Sequence, residues 1–237
     1  MTTSASTAPE GSARAELERL VARSDLLDQW RDARGLPEAP DPRPAAVLIL
    51  FGVLDGRPAD HDAQATAVSR DLDLLLLERA ATLRSHAGQV AFPGGRQDPG
   101  DDGPVAAALR EAREETGLDA TGVEVLGTLP EIPVPVSGHV VTPVLGWWAR
   151  QSPVGVVDVA ESAHVFRTPV ADLLDPANRY TTVFRRGGQV WRGPGWLVTA
   201  AGVEHLVWGF TAGILDALLD ALGWTEPWDR SRELELP

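Results

Sequence analysis

The chain is predicted to fold as an α+β sandwich in one domain. Three observations predict it. Strand-like apolar runs lie on both sides of one amphipathic helical segment, 104–116, and a second, apolar helical segment follows late in the chain. Hydrophobic residues make up 43% of the 237 positions, enough for a full core at this length. No internal repeat divides the sequence.

Taken in order, residues 1–12 are rich in Ser, Thr, Ala and Pro and read as a disordered tail. Residues 13–36 form a helical segment, with Leu17, Leu20, Val21, Leu26 and Leu27 as the apolar positions of one or two short amphipathic helices. The stretch 37–44 is a proline-rich turn, and a main domain is expected over 40–223. Runs at 45–54 and 73–80 read as strands, separated by a polar loop. A short strand, 88–93, is expected to end at a turn made by Gly94 and Gly95.

The helix 104–116 carries its own end signals. Pro104 suits the first helical position with Gly103 as the cap, and Gly117 suits the residue just past the end. Val105, Ala108, Leu109, Ala112 and Thr116 are read as its packing stripe, with Glu111, Glu114 and Glu115 on the other side. Strands follow at 123–129 and 139–149, a less defined segment at 158–166, and a short helix at 170–175. Residues 179–186 and 189–200 read as a hairpin around Gly187 and Gly188. An apolar helix is expected over 205–222 and a polar tail over 224–237. That helix is apolar on more than one side, so it is either buried in the domain or packed on a second subunit, and a homodimer is one partner it allows.

Composition narrows the function. The formal net charge of −13 argues against nonspecific binding to nucleic acid or anionic membrane. A phosphate-bearing substrate would therefore need local cations. The chain has no cysteine, which rules out disulfides and thiolate metal sites and fits a reducing compartment. No apolar run reaches the roughly 18 residues of a membrane span, and the N-terminus lacks the basic start and apolar stretch of a secretory signal. The expected location is the cytoplasm. Seven of the eight tryptophans lie at 147 or later, as core residues or as walls of an adenine or acyl pocket.

The chemistry concentrates between Arg84 and Leu118. Glu111, Glu114 and Glu115 stand at i, i+3 and i+4, where like charges on a helix repel. A bound hard cation would relieve that repulsion, and oxygen donors of this kind suit Mg²⁺ or Mn²⁺. Arg110 lies four residues before Glu114 and can pair with it. Gly94 and Gly95 let the backbone come close to a neighbour. A solvated charged helix face is the plain alternative. The loop Asp98–Gly103 is a poor calcium loop, because Leu109 stands where an EF-hand needs a bidentate glutamate.

Gly95 followed by Arg110, Glu111, Glu114, Glu115, Gly117 and Leu118 resembles the Nudix box. Fifteen steps separate Gly95 from Arg110, one more than the general pattern, and Asp101 or Asp102 replaces the loop glutamate. The longer spacing resembles the coenzyme A pyrophosphatase subfamily. So does an upstream motif: Leu75, Leu76, Arg79, Ala80, Arg84, Gly88, Phe92, Pro93, Gly94 and Gly95 match its steps, with Leu77 in place of threonine. The resemblance extends over roughly residues 40–222 and implies the Nudix fold, a mixed β-sheet sandwiched between α-helices.

The resemblance also implies a hydrolase that cuts the pyrophosphate of coenzyme A or acyl-CoA, giving 3′,5′-ADP and 4′-phosphopantetheine. Its metal would be Mg²⁺ or Mn²⁺ on Glu111, Glu114 and Glu115, with the Gly95 carbonyl. Arg110 and a carboxylate base, Glu114, Glu115 or Glu161, complete the expected catalytic set. Arg79 and Arg84 are the expected phosphate clamps, beside Gly94 and Gly95, with Arg96 as a weaker candidate; His86, near the same motif, is weighed for a catalytic role against a structural one. ADP-ribose or NADH is the alternative substrate, and a non-catalytic binding module the alternative class.

Overall fold

In the computed structural model, residues 11–23, 41–54, 58–82, 86–135 and 137–236 are described. Residues 1–10 of the tail expected over 1–12, and 24–36 of the N-terminal helical segment, lie outside them. A helix α1 covers Ala13–Val21. The first sheet begins with β1 (Arg43–Val53), β2 (Leu72–Arg79), β3 (Val90–Ala91) and β4 (Gly94–Arg96). Helix α2 (Pro104–Thr116) follows, then β5 (Val123–Thr128), β6 (Ile132–Val134), β7 (His139–Trp148) and β8 (Ser162–Pro169). The sheet order is β3-β2-β1-β7-β5, with β4 also on β1, β6 on β7 and β8 on β2. Among the described pairings of this sheet, β1–β7 is parallel and the others are antiparallel, so the sheet is mixed. After a short helix α3 (Val170–Leu174), β9 (Arg179–Arg186), β10 (Gln189–Ala200) and β11 (Val203–Val207) form a second sheet. Helix α4 (Gly209–Ala221) and β12 (Glu233–Glu235) end the described chain, and the second sheet runs β11-β10-β9-β12.

The layers follow from the strand sequences. Side chains alternate between the two faces of a strand, and a strand buried on both reads as a continuous apolar run. Ala46, Leu48 and Leu50 of β1 pack with Ala107, Ala108 and Ala112 of α2. Ile49 and Phe51 face the other way, into a core shared with Leu17 and Leu20 of α1 and Ile214, Leu215 and Leu218 of α4. The three alanines let α2 lie close to the sheet. Helices thus cover both faces, as the α+β sandwich requires. Helix α4 is buried on most of its surface within a single chain.

The ends of α2 behave as the sequence predicts. Gly103 caps it at φ +85°, Pro104 takes the first turn, and Gly117 ends it in the left-handed region with its N–H on the Arg113 carbonyl. Four other expectations need correction. Gly94 and Gly95 do not make a turn; they belong to β4, antiparallel to β1. A Cβ on Gly94 would stand 2.3 Å from the Ala46 carbonyl oxygen, so glycine permits this close pairing. The segment 158–166 becomes a strand only from Ser162, continuing to Pro169 along β2. The helix expected from 205 begins at Gly209, because Val203–Val207 pairs with β10 instead.

The last correction concerns the polar tail. Glu233–Glu235 pairs in parallel with β9, and Trp224, Glu226 and Leu236 are buried. The Glu226 carboxylate accepts hydrogen bonds from the Gln64 backbone and side chain and lies 3.0 Å from His61 Nε2. The segment is part of the fold because Trp224 and Leu236 are buried and the Glu226 carboxylate is hydrogen-bonded.

Candidate active site

Helix α2 meets strand β4 at the two glycines. The Glu115 carboxylate accepts from Gly94 N–H at 2.9 Å. A Cβ on Gly95 would lie 2.5 Å from the Glu111 carboxyl carbon, so that carboxylate rests directly on the glycine backbone. Glu115 itself is only 7% exposed. The expected polar side of α2 is corrected here. At about 100° per residue, Glu115 falls some 20° from Ala108, on the packing stripe. Burial pushes its carboxyl up to about 7, aided by the charges of Glu111 and Glu161 and opposed by Gly94 N–H and Arg79. Burial also raises Glu111, against the pull of Arg110.

Arg110 is the hub of the acidic loop. Its Nε and Nη2 grip both oxygens of Asp101 at 3.0 and 2.9 Å. Its Nη1 donates to Glu111 at 2.9 Å and to Glu114 at 3.0 Å, and Nη2 also reaches the Arg96 carbonyl at 3.0 Å. These bonds, Asp101 foremost, hold the guanidinium firmly protonated, and they draw Asp101 below the usual carboxylate range. Of the two loop acids considered from sequence, it is Asp101 that engages the helix.

Arg79 joins this cluster from β2. Its Nη1 lies 4.0 Å from Glu115, and its Nε is buried without a partner. Glu161 is exposed in the loop before β8, with its carbonyl accepting from Ala80 N–H at 2.8 Å. The structure thus brings Arg79, Gly94, Gly95, Arg110, Glu111, Glu114 and Glu115 together, with Glu161 close enough for its charge to act on Glu115. Arg84 lies outside the described residues.

The donor set fits a hard divalent cation: all oxygen, with two carboxylates whose burial disfavours the charged form. As they stand, no three carboxylate or imidazole groups among the described residues converge as a metal site. Glu111 and Glu114 share Arg110 Nη1 instead.

A cleft of about 570 Å³ opens beside Arg79, Gly94 and Gly95. Arg43, Arg79 and Arg96 line it with His86 and His139, and no carboxylate does among the described residues. That local excess of cations stands against a chain charge of −13. Phe92, Trp208 and Phe210 supply aromatic walls. Sequence reading missed Arg43 and His139. Nothing nearby in the chain marks them; parallel pairing of β1 with β7 makes them neighbours.

A NUDIX domain model matches residues 60–179, half of the chain. The chain belongs to the Nudix family. Its curated Nudix relatives include the uncharacterized Nudix hydrolase NudL of Cronobacter sakazakii, 44% identical over 154 residues, which cover 63% of this chain and 75% of that protein. NudL of Escherichia coli K12 is 42% identical over 154 residues, with the same coverage. Among solved structures, a C. elegans Ap4A hydrolase binary complex matches at a TM-score of 0.41 and 20% identity, over 55% of this chain and 83% of that one. The NUDIX domain of Shewanella oneidensis NrtR complexed with ADP ribose matches at 0.41 and 20%, over 64% and 85%. Likeness that distant says nothing of substrate. The family makes this chain a Nudix hydrolase of a nucleoside diphosphate derivative, a small-molecule substrate, and a divalent metal is the family's usual cofactor. No described helix is long and apolar enough to cross a membrane.

Proposed function

We propose that this Nudix hydrolase cuts the pyrophosphate of coenzyme A or an acyl-CoA in the cytoplasm, releasing 3′,5′-ADP and the (acyl-)4′-phosphopantetheine. The observation that carries the reading is the cleft. It is of a size for a nucleotide, walled by aromatics, lined by three arginines and no carboxylate among the described residues, and joined through Arg79 to the buried Glu115. The upstream motif that ends at Gly95 supports coenzyme A over other diphosphates.

Each residue has a task in this reading. Arg79, and Arg84 beside it in sequence, bind phosphate oxygens with forked donors. The Gly94 and Gly95 backbone leaves room for the pyrophosphate to approach. Glu111, Glu114 and Glu115, with the Gly95 carbonyl, would hold Mg²⁺ or Mn²⁺. Such an ion, when bound, offsets charge on the pyrophosphate oxygens and acidifies water. Arg110 positions Glu111 and Glu114 against the Asp101 loop. A carboxylate, Glu161 or Glu114 or Glu115, takes the proton as the water oxygen attacks phosphorus and the anhydride P–O bond breaks.

The test is direct. The purified protein is incubated with Mg²⁺ or Mn²⁺ and CoA, ADP-ribose or NADH, and products are identified by mass, with Glu115→Gln in parallel. 3′,5′-ADP from CoA, absent in the variant, is the expected result. Cleavage of ADP-ribose or NADH alone would overturn the coenzyme A reading, and no turnover at all would point to a binding role.

A further inference from the structure

Of the cations that line the cleft, only Arg79, beside Glu115, belongs to the chemistry just described. Arg43, Arg96 and His139 gather elsewhere in the same cleft, on three adjacent strands. Arg43 and His139 are direct partners in the β1–β7 pairing. Arg96 of β4 sits opposite Ala45, two residues along β1 and on the same face as Arg43. The small Ala45 side chain lines the cleft with both arginines.

Neither Arg43 nor Arg96 forms an ion pair among the described residues. Arg43 donates instead to the Ser137 carbonyl, which fixes its guanidinium beside Gly138, whose Cβ would meet it at 3.5 Å. His139 Nε2 is buried without a hydrogen-bond partner. Burial, and then the charges of Arg43, Arg96 and His86, push the His139 imidazole below its ordinary value. Mutually repelling cations around an unpartnered buried nitrogen, in a chain of charge −13, need a reason.

We infer that Arg43, Arg96 and His139 form a second phosphate subsite, one that takes a phosphomonoester on the ribose of the substrate. The inference rests on the proposed coenzyme A reading and names the part of the site that would read its 3′-phosphate. A phosphomonoester brings about −1.5 to −2 charges at pH 7 and three acceptor oxygens, enough for two arginine forks and one imidazole. It gathers on one phosphorus nearly the charge that a disubstituted diphosphate spreads over two, so it gains most from such a compact cluster. The subsite thereby separates nucleotides with a ribose phosphate from those without.

Two arms test it, with Arg43→Gln and Arg96→Gln as independent variants. In the first, kcat/KM is measured for CoA and for dephospho-CoA. The wild type is expected to favour CoA, and each variant to lower the CoA to dephospho-CoA ratio about tenfold, chiefly through KM. Equal losses on both substrates, or no loss on either, would overturn the subsite. In the second, 3′,5′-ADP and 5′-AMP are titrated into metal-free protein by calorimetry. Tighter binding of 3′,5′-ADP, lost in either variant, supports the subsite even if neither CoA form is hydrolysed. In that outcome the coenzyme A reading fails and the subsite stands. Equal binding of the two nucleotides by the wild type overturns the subsite, whatever is hydrolysed.

Discussion

Glu115 combines two properties that oppose each other in water: it is 7% exposed, and it neighbours two other carboxylates. A folded-state value of about 7 against an ordinary 4.5 means that the folded, metal-free protein holds this proton more tightly than the unfolded chain. Stability from this group is then full below pH 4.5 and is lost as the pH rises towards 7. Thermal melts in chelator from pH 5 to 8 should show that decline, and Glu115→Gln should flatten it by on the order of 2–3 kcal/mol. A melt profile unchanged by the substitution would count against the assignment. Arg110 works by geometry as much as by charge, since one guanidinium serves Asp101, Glu111, Glu114 and the Arg96 carbonyl. Arg110→Lys keeps the charge and loses the fork. We expect turnover to fall roughly 10²-fold with the melting temperature little changed.

At the scale of elements, the junction of β4 with α2 separates folding from catalysis between two adjacent glycines. A side chain on Gly94 would meet β1 backbone, with the Ala46 oxygen at 2.3 Å and Val47 Cα at 2.6 Å, and backbone there cannot give way cheaply. Gly94→Ala should destabilise the protein by about 2–4 kcal/mol, read from denaturant midpoints. A side chain on Gly95 meets only the tip of Glu111, a flexible carboxylate. Gly95→Ala should leave the midpoint nearly unchanged and cut turnover at least tenfold. Reversed effects would show that β4 does not lie as described. The helix was legible to the residue, because Gly103, Pro104 and Gly117 are local signals. Strand β4 was not, because two glycines read as a turn until a neighbouring strand pairs with them. The burial of Glu115 was legible in principle, from its angle on the helix, but an acid biases the reading towards the solvent side.

On the scale of the whole molecule, the chain closes on itself after α4. Strand β12 adds to β9, and Glu226 ties the last segment to the loop at His61 and Gln64. Trp224 Nε1 donates to Glu16 of α1 at 2.6 Å, so both ends of the described chain meet. Removing residues 224–237 should therefore lower the melting temperature by more than about 5 °C, or prevent folding, where a solvated tail would leave it unchanged. The sequence by itself determined the family box, the glutamate helix with both its ends, and an α+β sandwich, because each is written as spacing, end signals or apolar pattern along the chain. The tertiary structure alone decided that Asp101 rather than Asp102 takes the Arg110 fork, and that Arg43 and His139 share a cleft with Arg96. The first is set by how the loop folds back onto the helix and the second by the register of strands far apart in the chain, and no local pattern carries either.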